Sequence, residues 1–383
     1  MMKTRIAKLM LDRTAISIAA AVLCLAASVR AEAAPGQSSA SRKPPHGGGS
    51  GGGLPYPTAS TVSQLIADIN YANNTGGAIT INLAVSTTFL LKSADNTTDG
   101  GNGFPVVGGA KAVNLTIIGN GATIQRTNVI GRYSQVKNPF RLFDVAAGSS
   151  LTLDRITMKG GLGGAILNHG ILNIVNGSIL SENSAGDSGG AIHNSGGTVM
   201  VSDSTLSRNG SGSGGGIHNN GGTVTISRSI LSNGALYYGG SIYNNGGTVA
   251  VNDCNVTGNN ARYGGGIYNN GGTITINDSA VNNNSANHYD YPWEGGYGGG
   301  IYNSAGMIVI NHSTLTGNTA DPGFEDWFVV GGGIFNDVQG TVTVGNDSHV
   351  FGNSYDDVNN AGVFYLDGTS TIAILNGNPA IPM

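Results

Sequence analysis

The chain has 383 residues, of which 64 are Gly and only 10% are charged. With the first 33 residues set aside, 13 basic and 20 acidic side chains remain, and a net charge of −7 excludes the basic footprint that a nucleic-acid partner requires. Of two cysteines, Cys24 lies in that leader, so Cys254 is left alone and an intramolecular disulfide framework is excluded.

Residues 1–33 read as a secretory signal: basic Lys3, Arg5, Lys8 and Arg13, an apolar run from Ala15 to Val29, and the small-x-small site Ala31-Glu32-Ala33. The run is too short and too alanine-rich for a retained span, so the mature chain is expected to be exported and to carry no transmembrane segment. Residues 34–57, with Pro44-Pro45-His46 and a glycine run, read as a flexible linker. Next, Thr61-Val62-Ser63-Gln64 forms a capping box, and Val62, Leu65, Ile66 and Ile69 share one helical face, which predicts a short helix capping an open end. Ala78 to Leu91, Val113 to Arg126 and Leu142 to Met158 alternate apolar and polar residues as irregular early coils.

From residue 163 to 355 the alternation becomes a regular repeat. The string Gly-Gly-small-Ile-aromatic-Asn recurs with its isoleucine at Ile166, Ile192, Ile217, Ile242, Ile267, Ile301 and Ile334, spaced by 26, 25, 25, 25, 34 and 33 residues. Such a period marks a solenoid whose units must stack to bury their apolar faces. Segments such as Thr223-Val224-Thr225-Ile226-Ser227 have the period of two that belongs to strands, a Gly-Gly turn precedes each, and a third stretch such as Thr205-Leu206-Ser207-Arg208-Asn209 closes the coil. These residues are Val/Ile/Thr-rich where a helical repeat would need Ala, Leu, Glu and Lys. The prediction is an all-β parallel β-helix of roughly 25-residue coils, one domain over 58–376, with residues 377–383 as a tail.

In a β-helix equivalent positions form columns about 4.8 Å apart. Asn168, Asn194, Asn219, Asn244, Asn269, Asn303 and Asn336 make one such column, either as a hydrogen-bonded ladder or as a row of amides offered to a ligand. Just before it run Leu167, His193, His218, Tyr243, Tyr268, Tyr302 and Phe335, a column of mostly planar rings suited to stacking. No carboxylate or cysteine recurs beside the histidine pair, so no metal site is expected, and nothing in the pattern calls for a cofactor.

The two long intervals place insertions, 287–297 and 321–328, at the same corner of consecutive coils. Both tryptophans of the chain, Trp293 and Trp327, fall in them with Tyr291, Tyr297 and Phe324, and Tyr237, Tyr238 and Tyr263 occupy that corner in the preceding coils. Aromatic faces beside polar groups suit the C–H faces and hydroxyls of a sugar chain, so a polysaccharide or cell-surface glycan is the expected partner. The alternative is that the insertions fold back as an apolar cover. Asp290, Glu294, Glu325 and Asp326 would be the acid and base candidates if the corner degraded polysaccharide.

Gly189-Gly190-Ala191-Ile192 and Phe351-Gly352-Asn353 resemble the GGAI and FxxN repeats of polymorphic outer-membrane-type bacterial surface proteins, and Leu115 to Ile124 is similar to the opening coils of exported right-handed β-helix repeat proteins. The resemblance spans roughly 59–355 and implies the right-handed pectin-lyase-like superhelix and a secreted, extracellular or bacterial outer-surface setting. It does not imply one activity, because the scaffold hosts enzymes and adhesins alike. Pectate lyases of that superhelix share calcium-binding acids and an arginine base, whereas here no lysine follows Lys159 and only Arg208, Arg228 and Arg262 follow it among arginines. The expectation is a non-enzymatic adhesion or glycan-contact protein, with a polysaccharide lyase or glycoside hydrolase as the alternative.

Overall fold

A computed structural model describes residues 53–127, 138–287, 295–321, 331–376 and 378–379. Its strands form two long sheets, of 19 and 14 strands, in which every pairing between successive coils is parallel. Among the described residues the one antiparallel strand pair joins Ile374–Leu375 to Asn378–Pro379, with isolated antiparallel bridges at Asn96–Asn102 and Gly331–Tyr355. This is the predicted all-β parallel β-helix with one short helix.

Register follows the sequence repeat. Ile192 pairs with Ile217, Ile217 with Ile242, Ile242 with Ile267, Ile267 with Ile301, and Ile301 with Ile334. The larger sheet carries the first and second strands of each coil, and in three coils the chain runs through the intervening turn as a single strand: Ile267–Asn277, Ile301–Asn311 and Gly331–Gly345. Alternation decides the interior. Ile217, Val224, Ile226 and Leu231 of one coil are fully buried, while Thr223, Thr225 and Ser227 between them reach the surface. Burying four aliphatic side chains is worth roughly 1.5–3 kcal/mol each, which is why a coil holds its place only when stacked.

Helix α1 (Val62–Thr75) opens the domain. Thr61 Oγ1 accepts from Gln64 N at 3.3 Å, and Gln64 Oε1 accepts from Ser60 N at 2.8 Å, so the return bond of the capping box falls one residue before the cap. Leu65, Ile69 and Ala72 are buried in the core shared with the first coils, and Gly76 at φ 75° ends the helix.

Three internal ladders hold the coils in register. Asn168 Nδ2 donates to Asn194 Oδ1 at 2.8 Å, and the same bond repeats through Asn219, Asn244, Asn269, Asn303 and Asn336 to Asn360, at 2.7–2.9 Å. The seven asparagines from Asn168 to Asn336 are fully buried, so this column is structural and the amides are not offered to a ligand. A second asparagine ladder, overlooked in the sequence, closes the third strands through Asn183, Asn209, Asn233, Asn259, Asn284, Asn318 and Asn353. It ends on the buried Asp357 carboxylate, which accepts from Asn353 Nδ2 at 2.8 Å. In a third column serine hydroxyls accept backbone N–H groups, as Ser229 Oγ does from Ser204 N at 3.1 Å, and Cys254 stands in a serine place.

The turn after the second strand lies in the left-handed region at Asp203, Arg228, Asp253, Asp278, His312 and Asn346, with φ between 46° and 53°. Side chains of both charges share this column, and Arg228 donates from Nε and Nη2 to the two Asp203 oxygens at 2.7 Å each.

Candidate functional site

The corner before each Gly-Gly pair brings two aromatic columns onto one face. The outer column pairs Ser188 with Ser213, Ser213 with Tyr238, Tyr238 with Tyr263, and Tyr263 with Tyr297. The inner column is the one read from sequence, through His193, His218, Tyr243, Tyr268, Tyr302 and Phe335. Within the outer column the Tyr238 and Tyr263 rings lie 5.6 Å apart at 18°, and Tyr263 and Tyr297 lie 5.8 Å apart at 9°. Within the inner column Tyr268 and Tyr302 are 4.9 Å apart at 4°, and Tyr302 and Phe335 are 5.0 Å apart at 15°.

Glycine is what lets the columns meet. Gly239 turns the chain at φ 60°, and a Cβ there would sit 2.1 Å from the Ile242 carbonyl oxygen. The tight corner sets Tyr238 edge-on to Tyr268 of the next coil, at 4.9 Å and 60°. Tyr263 meets Tyr302 at 5.7 Å and 75°, and Tyr297 meets Phe335 at 5.2 Å and 70°. The parallel stacking of Tyr238, Tyr263 and Tyr297 and of Tyr268, Tyr302 and Phe335, and the edge-to-face contacts between the two sets, are arrangements ring quadrupoles favour, each worth about 0.5–1.5 kcal/mol beyond area burial. The surface is therefore rigid before any ligand arrives.

Exposure divides the two columns. Tyr237 and Tyr238 are 51% and 36% exposed, Tyr263 and Tyr297 are partly exposed, and Tyr268 is buried beneath them. Burial pushes the Tyr268 phenol up to about 12. Tyr302 is raised by burial and by the Asp337 carboxylate, to which its hydroxyl donates at 3.3 Å. Both hydroxyls stay protonated donors at any physiological pH. The Arg262 guanidinium lies over the Tyr263 ring at 4.9 Å.

Of the candidates read from sequence, Tyr237, Tyr238, Tyr263 and Tyr297 come together on this face. Asp290, Tyr291, Trp293, Glu294, Phe324, Glu325, Asp326 and Trp327 lie outside the described residues. The flanks of the two insertions do meet, since Gly296 N donates to the Asp321 carbonyl at 2.7 Å. Tyr243, Tyr268 and Tyr302, read from sequence as packing alone, support the exposed tyrosines directly. Among the described residues no group of three or more His, Cys, Asp or Glu side chains is arranged to hold a metal, and no helix is long and apolar enough to cross a membrane.

No protein-family model and no curated protein matches this chain. Among solved structures it is similar to the tailspike protein gp49 of Acinetobacter baumannii bacteriophage Fri1, a capsular polysaccharide depolymerase, at 10% identity and a TM-score of 0.25 over 84% of this chain. The match spans 61% of the tailspike chain.

Proposed function

We propose that this is an exported β-helix protein of the secreted or surface-displayed kind, with residues 58–376 as its one domain, that binds glycan chains on its tyrosine face without cleaving them. The observation that carries this reading is the run Tyr238, Tyr263 and Tyr297, three near-parallel rings 5.6 and 5.8 Å apart, backed by a second ring column. A preorganised row of partly wet tyrosine rings offers apolar contact to a sugar chain and phenol groups for its hydroxyls at little ordering cost. The leader at 1–33 and the linker at 34–57 fit a domain displayed outside the cell. The GGAI and FxxN pattern fits a loose member of the bacterial surface-repeat proteins.

Affinity electrophoresis against a polysaccharide panel tests this. Tyr238→Ala with Tyr263→Ala is expected to abolish the retention shown by the unmodified chain, with far-ultraviolet circular dichroism unchanged. Retention that survives both substitutions on every polymer overturns the reading. The carboxylates Asp290, Glu294, Glu325 and Asp326 define the competing, degradative reading, which requires release of new chain ends that disappears in Glu294→Gln or Glu325→Gln.

A further inference from the structure

The two ends of the solenoid are finished differently. Beside helix α1 the inward side chains of the first coil, Ile81, Leu83, Phe89 and Leu91, are at most 2% exposed. At the other end the strand Val363–Leu366 stands in register with residues 341–344 of the coil before it. Its inward residues Phe364 and Leu366 match the fully buried Val342 and Val344 but are themselves only half-buried. Its outward residues Val363 and Tyr365 stand where the coil before has Thr341 and Thr343, and they are 46% and 47% exposed. The glycan reading makes no use of this end.

Among the described residues this strand pairs with Gly331–Gly345 alone, so its far edge is open. The hydrogen bonds fix which groups face that edge. Val344 O accepts from Asp367 N at 3.1 Å, and Val363 O accepts from Asn336 Nδ2 at 3.0 Å, so the main chain of Val363 and Asp367 turns back toward the preceding coil. Alternation along a strand then turns the N–H and C=O of Phe364 and Leu366 outward. Leu366, in register with Val344, offers the carbonyl that Val344 gives to the next coil. Open edges are templates for another strand, and charge or proline commonly blunts them; residues 363–366 carry neither. The row of first strands, by contrast, ends in the antiparallel pair of Ile374–Leu375 with Asn378–Pro379.

We propose that this edge joins two copies of the chain end to end, about a two-fold axis through Tyr365. With Phe364 opposite Leu366 of the second copy, each such pair exchanges two N–H···O bonds, four in all, and no other antiparallel register gives both outward-facing residues a partner within the strand. The same register sets Phe364 and Leu366 of both copies on one inward face, so two half-buried core ends cover each other, with Val363 and Tyr365 on the outer face. No like charges meet across the edge: Asp367 faces Val363 of the second copy, and its carboxylate is turned into its own chain, accepting from Asn346 N and Ser370 N at 2.6 and 2.8 Å. Because α1 covers the opposite end, copies do not add head to tail, and the assembly closes at two. One coil end per copy is a small contact, which makes the dimer reversible. The inference is independent of the glycan reading.

Sedimentation velocity of the purified chain over about a hundredfold range of concentration should show a monomer passing into a species of twice its mass, with nothing larger. Leu366→Pro removes an N–H that serves no bond within its own chain and should raise the dissociation constant by at least about tenfold, with far-ultraviolet circular dichroism unchanged. A second pair of variants reads the register without touching the core. Tyr365→Cys would meet its own copy across a non-hydrogen-bonded pair, with Cα atoms about 4.5 Å apart, within disulfide reach. Val363→Cys, on the same strand and equally exposed, would lie four residues along from its copy, more than about 13 Å away and out of reach.

Mild oxidation should therefore cross-link Tyr365→Cys into a covalent dimer and leave Val363→Cys uncoupled; Cys24 and Cys254 are common to both variants and cancel in the comparison. A monomer at every concentration, growth beyond two copies, an affinity that Leu366→Pro leaves unchanged, or equal cross-linking of the two cysteine variants each overturns the inference. Both cysteine positions lie on the surface, so if Leu366→Pro fails to fold, the cross-linking comparison decides.

Discussion

Replacing Asn219 by Leu should destabilise the protein far more than the same change at Asn168, although both side chains are fully buried in the same ladder. Asn219 Nδ2 donates to Asn244 Oδ1 at 2.8 Å and to the Gly222 carbonyl at 2.9 Å, and its Oδ1 accepts from Asn194 Nδ2 at 2.8 Å. The Gly222 carbonyl keeps a second donor, Thr248 N at 3.0 Å. Leucine therefore strands two buried groups, one N–H of Asn194 and the Oδ1 of Asn244, at about 1–3 kcal/mol each, or roughly 4 kcal/mol in all. Asn168 is the end of the ladder, and its Oδ1 already has no partner. Its loss orphans Asn194 Oδ1 and removes bonds to two backbone carbonyls, that of Thr198 at 3.1 Å and that of Gly170, which keeps Thr198 N at 2.8 Å, but it also removes an existing orphan, so roughly 1–2 kcal/mol is expected. Urea unfolding followed by circular dichroism reads this as a midpoint shift at constant slope. Equal shifts for the two variants, or a shift below 1 kcal/mol at Asn219, would refute the idea that the ladder acts through buried amide satisfaction.

Three further outcomes follow from the same reasoning. The His218 imidazole is held at about 4 in the folded chain against 6.5 unfolded, so the unfolded state binds its proton first; stability is full above pH 6.5 and falls through the window down to 4, by roughly 3 kcal/mol at about 1.4 kcal/mol per pH unit. Thermal melts at pH 7, 5.5 and 4.5 should show this loss and show it reduced in His218→Phe; parallel curves for both proteins would contradict it. Cys254→Ser should raise stability by about 0.5–1 kcal/mol in urea unfolding, since the thiol only donates weakly to the Asn252 carbonyl at 3.1 Å where Ser229 makes the equivalent bond to Ser227 at 2.7 Å; a loss would count against the serine column. Gly239→Ala combines a positive φ with a Cβ 2.1 Å from a carbonyl, so it should cost more than about 2 kcal/mol and perturb Tyr238, visible as a change in near-ultraviolet circular dichroism; an unaltered spectrum would contradict the role given to the corner.

The fold was legible because every coil repeats the same three signals: a Gly-Gly corner, strands alternating Val or Ile with Thr or Ser, and an asparagine at a fixed place. Ile192 to Ile334 could be aligned in sequence and are the residues that pair in space. The site was legible in part. Tyr238, Tyr263 and Tyr297 share a corner in sequence, but their contact with Tyr268, Tyr302 and Phe335 depends on how the glycine corner turns the next coil, which spacing alone does not report. The second asparagine ladder carried a readable signal, since Asn209, Asn233, Asn259 and Asn284 recur at 24, 26 and 25 residues, but in a chain this rich in Asn, Ser and Thr the column does not stand out from the residues around it.

The most direct test of glycan contact without cleavage is a polysaccharide panel in which retention and new reducing or unsaturated ends are measured on the same samples. Binding without catalysis predicts at least one polymer that retards the unmodified chain, fails to retard the Tyr238→Ala and Tyr263→Ala double variant, and gains no new ends. New ends that accumulate with time would contradict it and turn attention to Asp290, Glu294, Glu325 and Asp326.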